Sequence, residues 1–208
     1  VERSWREAIV FGRIIESSGR EYEGDTRNLL KDIVKKYEDI GTLKCGAEIE
    51  FFIFENEKSP NYTDEGGYFR SGLYGEIRKE AQLALNEMGI KTEFDHHEVA
   101  SSQHEIDLTY SNALKMADSI ILAKYGVYAS FMPKPISGIN GNGMHLHLSL
   151  WKDGKNLFFD EEKQGLSDIA KSYIAGLIKY GKDIQAALNQ WINSYKRLYP
   201  GYEAPTYL

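Results

Sequence analysis

The sequence predicts an α+β domain: a mostly antiparallel sheet with helices on its outer face. Segments with the two-residue period of a strand recur along the chain, and several are joined by hairpin-type turns. Between them lie runs with the apolar spacing of amphipathic helices. Along the strand segments, acidic and imidazole side chains fall in step on one face.

Composition sets the outer limits. The chain has 208 residues, 42% hydrophobic and 27% charged, with a formal charge of −6. That suits one globular domain with a sizeable core. Mild acidity argues against nucleic acid as a partner. Cys45 is the single cysteine, so there is no disulfide framework. No apolar run reaches membrane-span length and no signal peptide is visible, so a cytoplasmic setting is expected and a membrane partner is not. The chain begins at Val1 and stops at Leu208 without a closing turn or cap, which reads as a piece of a longer protein.

Each element has its own warrant. Residues 10–15 read as a strand with a turn at Ser17-Ser18-Gly19. Asp25 or Thr26 caps a helix carrying Leu30, Ile33, Val34 and Tyr37, and Gly41 ends it. The segment 46–54 is a strand with Glu48 and Glu50 on one face and Ala47, Ile49 and Phe51 on the other. Two carboxylates side by side in so apolar a run repel each other unless a cation lies between them, which points to a metal or catalytic role. Residues 55–72 are loop. A helix then buries Leu73, Ile77, Ala84, Leu85 and Met88 and stops at Gly89.

Residues 90–110 read as strand, Ser-Ser turn and strand, with Glu98 and Glu105 flanking the turn beside Val99 and Ile106. A short helix over 111–127, a strand at 128–132 and a stop at Pro133-Lys134-Pro135 follow. At 140–150, Asn-Gly occurs twice, supplying residues that tolerate positive φ. A strand then places His145, His147 and Ser149 on one face and Met144, Leu146, Leu148 and Leu150 on a core face. A lone His-x-His is a weak motif, and a solvated strand face explains it as well as a ligand role does. Four carboxylates and two imidazoles on strands form an oxygen-rich set that suits Mg²⁺ or Mn²⁺ better than zinc. Two such ions suit phosphoryl transfer. A hairpin turn at 152–155 precedes a long helix from Gly165 to about Ala187. Its buried side is expected to carry Leu166, Ile169, Tyr173, Leu177 and Ile184. Residues 193–205 read as an irregular but structured loop, in which Arg197 and Glu203 are either a surface ion pair or substrate groups.

Five motifs, taken in order, resemble the catalytic domain of glutamine synthetases of the bacterial and archaeal type. They are Gly-Ala-Glu-Ile-Glu-Phe-Phe at 46–52, His-His-Glu-Val-Ala and Gln-His-Glu-Ile-Asp within 96–107, Phe-Met-Pro-Lys-Pro at 131–135, Asn-Gly-Asn-Gly-Met-His-Leu-His-Leu-Ser at 140–149, and Asn-Ser-Tyr-Lys-Arg-Leu-Tyr-Pro-Gly-Tyr-Glu-Ala-Pro at 193–205. The resemblance implies a curved sheet with the acidic and imidazole groups on its concave face. It implies one metal held by Glu50, Glu98 and Glu105, and a second held by Glu48, His145 and a glutamate further along. Glu93, Tyr110, His147 and Ser149 fall where the family contacts ATP. Asn140 and Gly141 fall where it holds L-glutamate, Arg197 on the substrate carboxylate or the transferring phosphate, and Glu203 on the flap that takes a proton from ammonium. The implied reaction makes L-glutamine through γ-glutamyl phosphate, in a homo-oligomer of dodecamer type with active sites between subunits.

The departures bear on completeness. Ser101 stands where the family usually has proline. The helix after Met116-Ala117-Asp118 is about two turns shorter than the family's, at roughly 3.6 residues per turn. The resemblance makes residues 1–208 a partial catalytic domain, with 1–20 the end of, or linker from, an N-terminal β-grasp-like domain. The chain as given is then expected to be inactive alone, and an acceptor other than ammonia, an organic amine, stays open, as does a non-catalytic subunit.

Overall fold

The computed structural model describes residues 9–56, 61–70, 74–125 and 129–204. In chain order the elements are α1 (Thr26–Lys36), β1 (Thr42–Phe52), α2 (Gly75–Glu87), β2 (Thr92–His97), β3 (Gln103–Asn112), α3 (Ala113–Tyr125), β4 (Leu146–Lys152), β5 (Lys155–Asn156), β6 (Phe159–Asp160), β7 (Gly165–Leu166), α4 (Asp168–Leu188) and α5 (Ile192–Arg197). Five strands form one antiparallel sheet in the order β2-β3-β1-β4-β5, and β6-β7 is a separate hairpin. β1 is central. It pairs with β3 on one side, Glu50 opposite Glu105, and with β4 on the other, Gly46 opposite His147.

Side-chain parity splits the sheet into two faces. Ala47, Ile49 and Phe51 of β1 and Ile106 and Leu108 of β3 are buried against the helices. α2 adds Ala81 and Leu85 to this core, and α3 adds Ala113, Met116 and Ala123. The opposite face carries Glu48, Glu50, Gln103, Glu105 and Asp107, and Arg197 at the end of α5 reaches the cavity on it. Register shifts at Cys45–Ala47 in β1 and at Thr92–Asp95 in β2 interrupt the ladder, and such irregularities add local twist to a sheet that curls into a half-barrel.

Local chemistry explains the boundaries. Asp25 accepts the N–H groups of Arg27 and Asn28, two donors that the first turn of α1 cannot satisfy internally. Gly89, with φ +79, ends α2 in the left-handed region after the cap at Met88. Asp153 and Gly154 both have positive φ, as a two-residue turn between β4 and β5 requires. Ser167 caps α4 by accepting the N–H of Ala170. No described helix is long and apolar enough to cross a membrane.

Several expectations are corrected. Residues 10–15 form no strand; Ile15 makes one bridge to Glu21, and Val10 and Ile14 are exposed. α1 stops at Lys36, well before Gly41, and of its apolar stripe only Leu30 packs on the core. In α2, Ala81 and Leu85 face inward, whereas Ile77 and Met88 are exposed; Leu73 lies outside the described residues. The strand expected at 128–132 reduces to a bridge between Ser130 and Phe52, with Tyr128 outside the described residues. Leu148 packs on the core, but Met144 and Leu146 are exposed. Gly165 and Leu166 belong to β7, so the long helix begins at Asp168; its Ile169, Leu177 and Ile184 stay exposed, and Ala170 is its buried residue. The segment read as a loop from 193 opens with the short helix α5.

Candidate active site

On the concave face a cavity of about 280 Å³ is lined by Glu48, Glu50, Glu98, Glu105 and His145, the five residues expected to hold metal. Strand register brings them there. Glu50 and Glu105 are direct cross-strand partners, and Glu48 lies opposite Asp107. His96 on β2 pairs with Glu105 and comes within 3.4 Å of the Glu98 carboxylate and 3.5 Å of that of Glu105. Glu48 gathers both histidines: one carboxylate oxygen lies 2.7 Å from His145 Nδ1, and the other meets His147 Nε2.

Electrostatics give this cluster its character. Burial pushes the Glu105 carboxyl far above its ordinary range, and the neighbouring Asp107, Glu98 and Glu50 push it further. Burial also raises Glu50, against the pull of the Gly143 N–H, and Glu98 adds to the rise. Asp107 is raised chiefly by burial. At Glu48 burial works against charge, but the hydrogen bonds with His147 and His145 outweigh it and leave its carboxyl below the usual range. Asp107 Oδ1 is buried without a hydrogen-bond partner, and donor atoms of His96, Glu105 and Asp107 all lie within 4.8 Å of one another. Buried like charges with an orphaned oxygen fit a divalent cation, and a mostly carboxylate donor set fits Mg²⁺ or Mn²⁺.

The Asn-Gly-Asn-Gly turn closes the next wall, though not for the reason expected. Neither Gly141 nor Gly143 has positive φ. Their need is space. A Cβ on Gly141 would lie 2.2 Å from the Pro133 carbonyl oxygen; one on Gly143 would lie 2.8 Å from an Arg197 nitrogen and 2.9 Å from Glu50 Oε1. The Gly143 N–H donates to Glu50 Oε2 at 2.9 Å, and Gln103 Nε2 donates to the same oxygen at 2.8 Å. Asn142 is buried and donates to the carbonyls of Ser130 and Met132, both at 3.0 Å, pinning that segment beneath the site.

Arg197, Glu203, Asn140 and Gly141 line the same cavity. Among the described residues Arg197 and Glu203 do not pair with each other; Asn140 Nδ2 donates to Glu203 Oε2 at 2.6 Å instead. Tyr202 and Glu203 both have positive φ, a conformation costly for side-chain-bearing residues. Lys134 sits over the Tyr202 ring at 4.6 Å.

A second cavity of about 360 Å³ adjoins the first across Glu48. It is lined by Glu93, Tyr110 and His147, three of the four residues expected at ATP, together with Phe94 and Asp107. Ser149 lines neither cavity; its hydroxyl accepts from Trp151 Nε1 at 2.9 Å. Residues given no role from sequence also line the first cavity: His96, Gln103, Tyr68 and Tyr202. Strand parity with Glu105 marks Gln103 and Asp107, whereas nothing local in sequence marks Tyr68, which arrives on a loop. The Tyr68 hydroxyl is pushed up to about 12, first by burial and then by the surrounding carboxylates.

The curled antiparallel sheet with its helices is shared with a solved glutamine synthetase structure. The chain superposes on a cryo-EM structure of Plasmodium falciparum glutamine synthetase with a TM-score of 0.82 and 31% identity, over 92% of this chain and 47% of that one. The family described as glutamine synthetase, catalytic domain, matches residues 23–208. Glutamine synthetases of Clostridium saccharobutylicum and Thermococcus kodakarensis are each 46% identical, over 94% and 96% of this chain and 48% of their own length. The chain belongs to the glutamine synthetase family, and it spans about half the length of the relatives it matches.

Proposed function

We propose that the protein containing this chain is an ATP-dependent glutamate–ammonia ligase. It joins ammonia to the γ-carboxylate of L-glutamate through γ-glutamyl phosphate, giving L-glutamine, ADP and phosphate. The supporting observation is the convergence of Glu48, Glu50, Glu98, Glu105 and His145 on one cavity that adjoins the one lined by Glu93, Tyr110 and His147. Mg²⁺ or Mn²⁺, held by Glu50, Glu98 and Glu105 and by Glu48 and His145, would offset charge during phosphoryl transfer.

The chain's own groups supply the rest. Arg197, beside Gly143 and Glu50, brings a fixed cation to the end of the cavity where phosphate would develop charge. Asn140 and Gly141 orient glutamate. Glu93, Tyr110, His147 and Ser149 are assigned to ATP. Glu203 accepts a proton from ammonium, leaving neutral ammonia to attack. Tyr202 and Tyr68 at the cavity limit the access of water to the acyl phosphate.

We read residues 1–208 as a partial catalytic domain, with 1–20 as the end of, or linker from, a preceding domain. The site is then completed by further chain and by a neighbouring subunit of a homo-oligomer. A cytoplasmic setting is in keeping with a lone, free Cys45. The test is an assay of the intact protein with glutamate, ATP, Mg²⁺ or Mn²⁺, and either ammonium or methylamine. Ammonium-dependent glutamine formation supports the proposal. Turnover with the organic amine alone would make it a different γ-glutamyl ligase, and no ATP consumption with either would make it a non-catalytic subunit.

A further inference from the structure

We propose that Asp64 and His97 are a buried positioning pair that sets the Glu98 carboxylate for its divalent cation; this rests on the metal-site reading above. His96 and His97 are neighbours on β2 and point to opposite faces. His96 lines the catalytic cavity. His97 does not; it is fully buried behind the cavity, with His104 edge-on to its ring at 4.9 Å.

The His97 ring is held at both nitrogens. Nδ1 donates to the Glu98 carbonyl at 2.6 Å, and Nε2 faces Asp64 Oδ1 at 3.0 Å. The same Asp64 oxygen accepts the Ser102 N–H at 2.7 Å. Asp64 therefore ties together the two ends of the turn that carries Glu98: the residue before it and the residue, at φ +64, that begins the return. A neutral side chain would meet the Ser102 donor but would lack the charge facing the imidazole.

Asp64 also anchors the loop it belongs to. The Thr63 N–H donates to the Ser102 hydroxyl at 2.6 Å, the Gly66 N–H to the Ser101 hydroxyl at 3.2 Å, and the Gly67 N–H to the Glu98 carbonyl at 3.2 Å. Gly66 runs so close to the turn that a Cβ would lie 2.1 Å from the Val99 carbonyl oxygen. Phe69 and Tyr68 then lie against the His96 ring, at 5.1 and 6.1 Å between centroids. One carboxylate thus fixes the Glu98 backbone from behind, while its loop fixes His96 from the front.

Asp64, His97 and His104 have donor atoms within 4.8 Å of one another, but they do not form a second metal site. His104 Nδ1 lies 2.7 Å from an Arg78 guanidinium nitrogen, which can only donate. The His104 proton is therefore on Nε2, and a protonated ring nitrogen offers no lone pair to a cation. The Arg78 charge beside it also opposes a cation there.

The test measures Mn²⁺ affinity by electron paramagnetic resonance in the intact protein, for the wild type, Asp64→Asn and Asp64→Ala, with the exposed Glu65→Ala as the loop control. Partners behind metal ligands typically affect affinity by about 10–100-fold. We expect both Asp64 variants to bind Mn²⁺ at least about tenfold more weakly, and Glu65→Ala to match the wild type. Raising Mn²⁺ should restore kcat in Asp64→Asn at a temperature well below its thermal midpoint, where the variant is already folded and stabilisation by the bound ion cannot account for the rescue. Should Asp64→Ala fail to fold, the near-isosteric Asp64→Asn carries the test. Unchanged Mn²⁺ affinity in Asp64→Asn, with or without a lower thermal midpoint, would overturn the inference while leaving the metal-site reading in place. A wild type that binds no Mn²⁺ would overturn both.

Discussion

Glu203 is held in an uncommon backbone conformation and hydrogen-bonded to Asn140, so its carboxylate is presented to the cavity before any substrate arrives. In the proposed role of proton acceptor for ammonium it would take no part in moving phosphate. In the intact protein, Glu203→Ala should retain glutamate-dependent phosphate release, fed by slow hydrolysis of the acyl phosphate. Glutamine formation should fall by about 10²–10⁴-fold, the usual worth of general-base catalysis. Parallel assays of phosphate and glutamine distinguish this from equal loss of both, which would put Glu203 in phosphoryl transfer or folding. Gly143→Ala tests the opposite wall. Its methyl group must displace either Arg197 or Glu50, both within 3 Å of the Cβ position. A misplacement of about 1 Å in such a site can cost on the order of 10²-fold. We expect kcat/KM to fall to that extent with the circular dichroism spectrum unchanged; a rate near wild type would show that the contact is slack.

At the scale of elements, β1 decides most of the outcome, because its two faces serve opposite ends. Phe51 is 1% exposed and touches the rings of His104 and Phe131. Phe51→Ala should destabilise by about 3–5 kcal/mol, measured by denaturant unfolding. A loss under about 1 kcal/mol would mean that the core can collapse around the gap. The faces of this strand were legible in sequence, since alternation alone put Glu48 and Glu50 opposite Ala47, Ile49 and Phe51, but its bounds were not: it runs Thr42–Phe52 and not 46–54. The hairpin of β2 and β3 was legible from its Ser-Ser turn, and α1 from Asp25. Where reading failed, the missing quantity was a partner. Residues 10–15 have strand composition, but no described strand lies beside them. Ser130 and Phe131 look extended and aromatic, and Ser130 does exchange both backbone bonds with Phe52, but the ladder goes no further, and the Met132 carbonyl accepts from Asn142 Nδ2 instead. Gly141 and Gly143 were read as turn formers; the structure needs them small, a demand set by the Pro133 carbonyl eight residues before Gly141 and by Arg197 far along the chain. The cluster of Glu98, Glu105 and Glu50 was visible as separate motifs, while its convergence with Tyr68 depends on loop packing that spacing does not encode.

For the whole molecule, the relevant fact is proportion: the chain spans about half of its relatives' length. If part of each site comes from further chain and from a neighbouring subunit, these 208 residues alone should form no glutamine when supplied with glutamate, ATP, Mg²⁺ and ammonium. Turnover by the purified chain at the rate of its intact parent would sink that expectation.

The setting of α4 has a consequence for motion. The helix runs from Asp168 to Leu188, leans on the β6–β7 hairpin through Tyr173 and Phe158, and leaves Ile174, Leu177, Ile178 and Leu188 in contact with solvent. Of its residues only Ala170 is buried, so little apolar surface resists the opening of its hydrogen bonds, and isolated helices are marginal in water. In this chain, deuterium should therefore enter the amides of α4 through local opening, far sooner than those of β1 and β3, which are released only when the sheet itself comes apart. Mass-spectrometric exchange would resolve the two classes by peptide; protection of α4 equal to that of β1 would mean that the helix and the sheet unfold as one cooperative unit.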